Sequence, residues 1–105
     1  MEKLSYEFQG GNPLPMANSA ALVGVLGSGN LEILVESVPL HGACRIEIET
    51  AAVGFGHIWE AVLRDVFDQW RVGDVRISIN DAGATPAVVV LRLNQALQAF
   101  AGERP

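Results

Sequence analysis

Cys44-Arg45-Ile46-Glu47-Ile48-Glu49, then the run Ile58 to Trp70, then Val75-Arg76-Ile77-Ser78-Ile79-Asn80, together decide the fold. In the first run Cys44, Ile46 and Ile48 fall on one face and Arg45, Glu47 and Glu49 on the other, the period of a strand with one apolar side. After Gly54 and Gly56 the period changes. Ile58, Trp59, Val62, Leu63, Val66, Phe67 and Trp70 recur at helical spacing, and Glu60, Arg64, Asp65, Asp68 and Gln69 occupy the opposite face. Gly73 stands where a helix C-terminus often has glycine. Asp74 to Asn80 alternates again, so the stretch reads strand, helix, strand. If those two strands lie parallel, the helix between them crosses over right-handed.

Upstream, the apolar runs Ala20 to Leu26 and Leu31 to Val35 are broken by Gly27-Ser28-Gly29-Asn30, which predicts a hairpin. The loop Val38-Pro39-Leu40-His41-Gly42 then leads into the strand at Cys44, so the first three strands are expected as a meander. Residues 9–19 are dense in Gly, Pro and Asn and predict a surface loop that follows a short N-terminal segment. Downstream, Asp81-Ala82-Gly83-Ala84 reads as a turn, with Thr85 placed to cap a helix and Pro86 at its first position. Val89, Leu93, Ala96, Leu97 and Phe100 continue that helix. Strands with one apolar face and two amphipathic helices satisfy each other in an α+β two-layer sandwich. The expectation is about four strands, largely antiparallel, with two helices packed on one face, as a single domain over 1–105.

The chain has 105 residues, is 50% hydrophobic and carries a formal charge of −5. That suffices for one compact core and disfavours a phosphate backbone as partner, since the seven basic residues are scattered. No apolar stretch reaches the roughly 18 residues of a membrane span, and the N-terminus lacks the pattern of a signal peptide, so a cytoplasmic location is expected. Cys44 is the one cysteine and has no internal disulfide partner.

Ser28, flanked by Gly27 and Gly29, is the candidate site. On pattern alone Gly-Ser-Gly-Asn is an ordinary hairpin loop, yet it also offers a small hydroxyl with no neighbouring Cβ to crowd it. It is no nucleophile elbow, which needs glycine where Leu26 and Asn30 stand, and no phosphate loop, since Gly24, Gly27 and Gly29 lack the spacing. His41 and His57 are the available bases; nothing in the sequence ties either to Ser28, and they have no metal-ligand spacing. Cys44, Trp59 and Trp70 fall on apolar faces and read as core. Leu34 and Val88 are surface apolar positions that carry no docking assignment.

Several segments in order, however, resemble one family. Leu4-Ser5-Tyr6-Glu7-Phe8, Leu22-Val23-Gly24, Gly27-Ser28-Gly29-Asn30-Leu31-Glu32, Asp81-x-Gly83-Ala84-Thr85-Pro86 and Leu91-Arg92-Leu93-x-Gln95-Ala96-Leu97 are similar to the acyl carrier (delta) subunit of malonate decarboxylase. A more distant likeness reaches the carrier subunit of citrate lyase. The Gly before Ser28 and the Thr85-Pro86 pair favour the malonate family, although Asn30 stands where that family is expected to have aspartate. The resemblance implies a non-catalytic carrier with phosphoribosyl-dephospho-coenzyme A attached covalently to Ser28. It also implies partners that transfer the acyl group, decarboxylate it and attach the prosthetic group. The alternatives are a citrate lyase-type carrier, or a plain interaction module in which the loop is only a turn.

Overall fold

The computed structural model describes residues 1–13 and 30–102 in full and residues 20–23 by their backbone. Seven elements follow one another: β1 (Glu2–Phe8), β2 (Ala20–Val23), β3 (Leu31–Ser37), β4 (Cys44–Thr50), α1 (Gly56–Trp70), β5 (Val75–Asp81) and α2 (Pro86–Ala101). Among the described residues the strands form one five-stranded sheet in the order β1-β4-β5-β3-β2. Three of its four pairings are antiparallel; β4 and β5 are parallel and joined through α1. The α+β two-layer architecture is therefore as expected, with two differences.

The first is β1. Leu4, Tyr6 and Phe8 alternate with Lys3, Ser5 and Glu7, and this segment pairs along its whole length with β4 as an edge strand. The second is the strand order. β2 and β3 pair antiparallel as the expected hairpin requires, its turn lying outside the described residues, but the expected meander does not continue, because β5 inserts between β3 and β4. With parallel strands and a helical crossover, β5 buries both of its edges, and its Val75, Ile77 and Ile79 are 1–2% exposed.

Parity sorts the sheet into two faces. Leu31, Ile33 and Val35 of β3, Cys44, Ile46 and Ile48 of β4, and Val75, Ile77 and Ile79 of β5 point into the core. There they meet Trp59, Leu63, Val66 and Phe67 of α1 and Val89, Leu93, Ala96, Leu97 and Phe100 of α2. Helix α1 lies toward β1, where Phe8 stacks on Phe67 with centroids 5.2 Å apart, while α2 covers β3 and β2. The opposite face is open and charged. Glu7, Arg45, Arg76 and Glu36 form one row across four strands, with ion pairs of 3.3 Å (Arg45–Glu7) and 3.0 Å (Arg76–Glu36). Exposed pairs of this kind add little stability, but a slip by one residue would break the row, so they help specify register.

The end of the sheet where β4 and β5 begin is closed by backbone packed on backbone. Gly73 does not cap α1 as its position suggested; Arg71 does, in the left-handed conformation at φ 49°, with its N–H donated to the Phe67 carbonyl at 2.6 Å. Gly73 instead touches Gly11 and Gly42. A Cβ on Gly73 would collide with the Gly42 carbonyl oxygen and lie 2.6 Å from the Gly11 carbonyl carbon. Around this contact Gly11 donates to Gly42 O at 2.9 Å, and Gly73 donates to Asn12 O at 2.8 Å.

Asp74 completes the junction. Its Oδ1 accepts the N–H groups of Gly42 (2.8 Å) and Leu40 (3.0 Å), and these bonds hold its carboxyl below the ordinary carboxylate range. A depressed native value contributes stability above the unfolded-chain value and loses it as pH falls through the native one. Urea unfolding from about pH 5 downward should therefore show the wild type losing stability more steeply than Asp74→Asn, which has no proton to take up there. Parallel profiles would contradict this role.

Candidate functional site

The opposite end of the sheet gathers the segments that the sequence singled out. Because β4 and β5 are parallel, Thr50 and Asp81 sit side by side at their carboxyl ends, and antiparallel β3 begins there with Leu31 opposite Asp81. The chain leaves β4 and β5 at this end to enter the two helices, so the N-termini of α1 and α2 lie there too. In open α/β sheets the carboxyl ends of parallel strands are where ligand sites form, since the connecting loops diverge and leave space.

Asp81 organises the corner. Only 5% exposed, its Oδ2 accepts from the Thr50 hydroxyl at 2.8 Å, and its Oδ1 accepts from the backbone N–H groups of Gly83 (3.1 Å) and Ala84 (2.7 Å). Thr50 in turn accepts from Ala52 N at 3.1 Å. One carboxylate thus fixes both the turn before α2 and the start of the loop before α1. Thr85 caps α2 as expected, its side chain accepting from Val88 N at 3.4 Å, with Pro86 following.

Helix α1 begins differently. Its N-cap is Phe55, with no side-chain cap, and the Phe55 carbonyl accepts from both Ile58 and Trp59 at 3.0 Å. The loop leading to it is tied to β1 by the Tyr6 hydroxyl, which donates to Gly56 O at 2.7 Å, and by Gly54 N, which donates to Glu2 at 3.1 Å. Burial raises the Tyr6 phenol above its ordinary value, and the carboxylates of Glu60 and Glu2 add to this. Phe55 is left 46% exposed.

Between the two helix starts lies an apolar cleft of about 360 Å³, lined by Ala52, Phe55, Trp59, Ala84 and Val89 among others, with Asp81 contributing its one charged group. Sequence reading missed it. Phe55 falls outside the helical stripe, and the glycines beside it read as a break, so the one available signal was a large aromatic residue in a loop.

Ser28 and its flanking Gly27 and Gly29 lie outside the described residues, as do residues 14–19 of the expected surface loop. What the structure does describe is Asn30, which is exposed and whose carbonyl accepts from Ala82 N at 2.8 Å. The strand that leaves the Gly-Ser-Gly segment and the Asp81–Pro86 turn, far apart in sequence, are thus bonded to each other at this end of the sheet.

Of the other candidates, His57 and Trp59 share this end of the sheet and the rest lie elsewhere. His41 is exposed at the far end of the sheet, in the left-handed conformation at φ 55°, and His57 is exposed in the first turn of α1. Cys44 is buried in the core, and burial pushes its thiol up to about 12. Trp59 is core and forms a cleft wall, while Trp70 is half-buried and donates to Asn94 at 2.8 Å. Leu34 and Val88 are half-buried; the large apolar side chains that are exposed among the described residues are Met1, Val53, Phe55 and Leu91. Among the described residues no cluster of His, Cys, Asp or Glu is arranged to hold a metal ion, and no helix is long and apolar enough to cross a membrane.

Comparison with known proteins gives one consistent match. The chain is 60% identical to the malonate decarboxylase acyl carrier protein of Xanthomonas campestris pv. campestris (strain B100) over 102 residues, 97% of each chain. It is 53% identical to that of Stenotrophomonas maltophilia (strain K279a) over 105 residues, covering 100% of this chain and 99% of that one. Its fold superposes with a TM-score of 0.81 and 38% identity on a chain of the crystal structure of a Pseudomonas malonate decarboxylase hetero-tetramer in complex with malonate, covering 95% of this chain and 99% of that one. The family model of the malonate decarboxylase delta subunit (MdcD) matches residues 18–100, and the chain belongs to that family.

Proposed function

We propose that this chain is the acyl carrier subunit of a malonate decarboxylase, working in the cytoplasm, with phosphoribosyl-dephospho-coenzyme A attached to Ser28. The observation that carries the reading is full-length membership of the delta-subunit family, with a serine between two glycines in the segment that runs into β3.

The described residues suit such a group in two ways. Asn30, two positions beyond the serine, is exposed, which favours access by a modifying enzyme, and the bonded turn beside it opens into an apolar cleft. Once attached, the group supplies a thioester whose carbonyl accepts the electron pair released when a malonyl unit loses carbon dioxide. The chain's own part is positional: Asp81 and Thr50 hold the turn that braces β3, and the glycines keep bulk away from the anchor. No residue of the chain is assigned a catalytic role in this reading; transfer and decarboxylation belong to partner subunits. With a formal charge of −5 the carrier suits basic docking patches on those partners, which favours fast and exchangeable encounters.

Reconstitution with the transferase and decarboxylase subunits tests the reading. Ser28→Ala should lose malonate decarboxylation to background, whereas Ser37→Ala, at an exposed position at the end of β3, should keep it. Retained activity in Ser28→Ala would overturn the proposal.

A further inference from the structure

We propose that the cleft between the starts of α1 and α2 is the resting site of the adenine ring of the prosthetic arm. This rests on the assignment of the arm to Ser28. The Asn30 carbonyl accepts from Ala82 N at 2.8 Å, and the residues just after Ala82 form one wall of the cleft. Ser28 and Asn30 are two positions apart, a span of at most about 7 Å. In phosphoribosyl-dephospho-coenzyme A the phosphoribosyl unit joins the serine, the adenosine follows it and the pantetheine thiol lies farthest away. The adenine, one phosphoribosyl unit from the anchor, is therefore the aromatic part of the arm with the shortest tether to this wall.

The chemistry of the walls selects the same part. The Trp59 and Phe55 rings offer planar surface, and Ala52, Ala84 and Val89 are apolar, so a neutral heteroaromatic ring fits while a phosphate or a malonyl carboxylate does not. Asp81 sharpens this choice. Its Oδ2 is bonded to the Thr50 hydroxyl alone, which leaves a lone pair for an amine N–H and repels an anion. Asn30 itself lines a second depression of about 190 Å³, but Glu32 and Glu49 border it and their carboxylates disfavour the phosphate-bearing nucleoside there. The volume of about 360 Å³ lies within the range of pockets that enclose small ligands. At its rim, a Cβ built on Gly83 meets nothing within 4 Å, so the approach from the turn is open.

The test uses the full chain, isotope-labelled and loaded with unlabelled arm by its transferase, with intact mass and fragmentation recorded on the same sample. The expected result is nuclear Overhauser contacts from adenine H2 and H8 to the Trp59 and Phe55 rings and the Val89 methyls. Both adenine protons should move upfield of their positions in free dephospho-coenzyme A. In Phe55→Ala, which removes a half-exposed ring and keeps the backbone carbonyl that caps α1, those positions should shift back toward the free values. Loading on Ser28 with no adenine contact to the cleft, or with contacts only from the pantetheine methyls, overturns this inference and leaves the Ser28 reading intact. Absence of an adduct on Ser28 overturns both.

Discussion

Asp81→Ala is expected to destabilise the fold by about 3 kcal/mol, because it strips the hydrogen-bond acceptor from three donors at once. The Thr50 hydroxyl and the Gly83 and Ala84 N–H groups all converge on this carboxylate, which is 5% exposed and so has little water to replace it. In a domain of this size that loss corresponds to a fall in Tm of roughly 12 °C or more, readable by thermal unfolding. Asp81→Asn should recover most of it, since the amide oxygen can still accept from the two backbone donors and the Thr50 hydroxyl can rotate to accept instead. Equal losses in the two variants would mean that charge, rather than acceptor geometry, holds the corner. A loss under about 0.5 kcal/mol for alanine, the ordinary range of surface changes, would contradict the network altogether.

At the other end of the sheet, Gly73→Ala should be comparably damaging for a different reason. The added methyl meets the Gly42 carbonyl and Gly11 backbone, atoms held by their own hydrogen bonds, so neither side can yield as a flexible side chain would. The expected cost is about 3 kcal/mol, the upper end for overpacking. Gly10→Ala is the control: at φ +78° it carries conformational strain, but its Cβ would meet nothing within 4 Å, so it should cost only about 1 kcal/mol. Denaturant unfolding of both variants separates contact from conformation, and a Gly73 variant no worse than the Gly10 variant would refute the close-packed junction.

These two corners also mark what was legible in the sequence. The alternation at Cys44–Glu49 and Val75–Asn80 and the stripe from Ile58 to Trp70 are local signals, and each formed the expected element. The Thr85 cap and Pro86 start were legible for the same reason. Strand order is not local: nothing in Leu31–Val35 or Cys44–Glu49 says that β5 will come between them, so the hairpin was readable and the meander was not. The alternation of Leu4, Tyr6 and Phe8 was available but stood apart from the periodic body of the chain. Gly73 was read by its distance from the helix, whereas its role is set by Gly11 and Gly42, which are remote in sequence. The Asp81–Thr50 bond and the cleft behind Phe55 likewise depend on parallel register between β4 and β5. The assignment of Ser28, which lies outside the described residues, rests on the family resemblance, since a serine between glycines is by itself an ordinary turn.

The central claim, that Ser28 carries the prosthetic group, is tested most directly by intact mass and fragmentation of the chain expressed with its modifying enzymes. Trypsin would release Leu4–Arg45 as one peptide holding Ser5, Ser19, Ser28 and Ser37, so the peptide mass alone does not locate the adduct. Fragmentation must place it between Gly27 and Gly29. The account predicts one adduct of phosphoribosyl-dephospho-coenzyme A at that position and none in Ser28→Ala; an unmodified wild-type chain, or an adduct that persists in the variant, would contradict it.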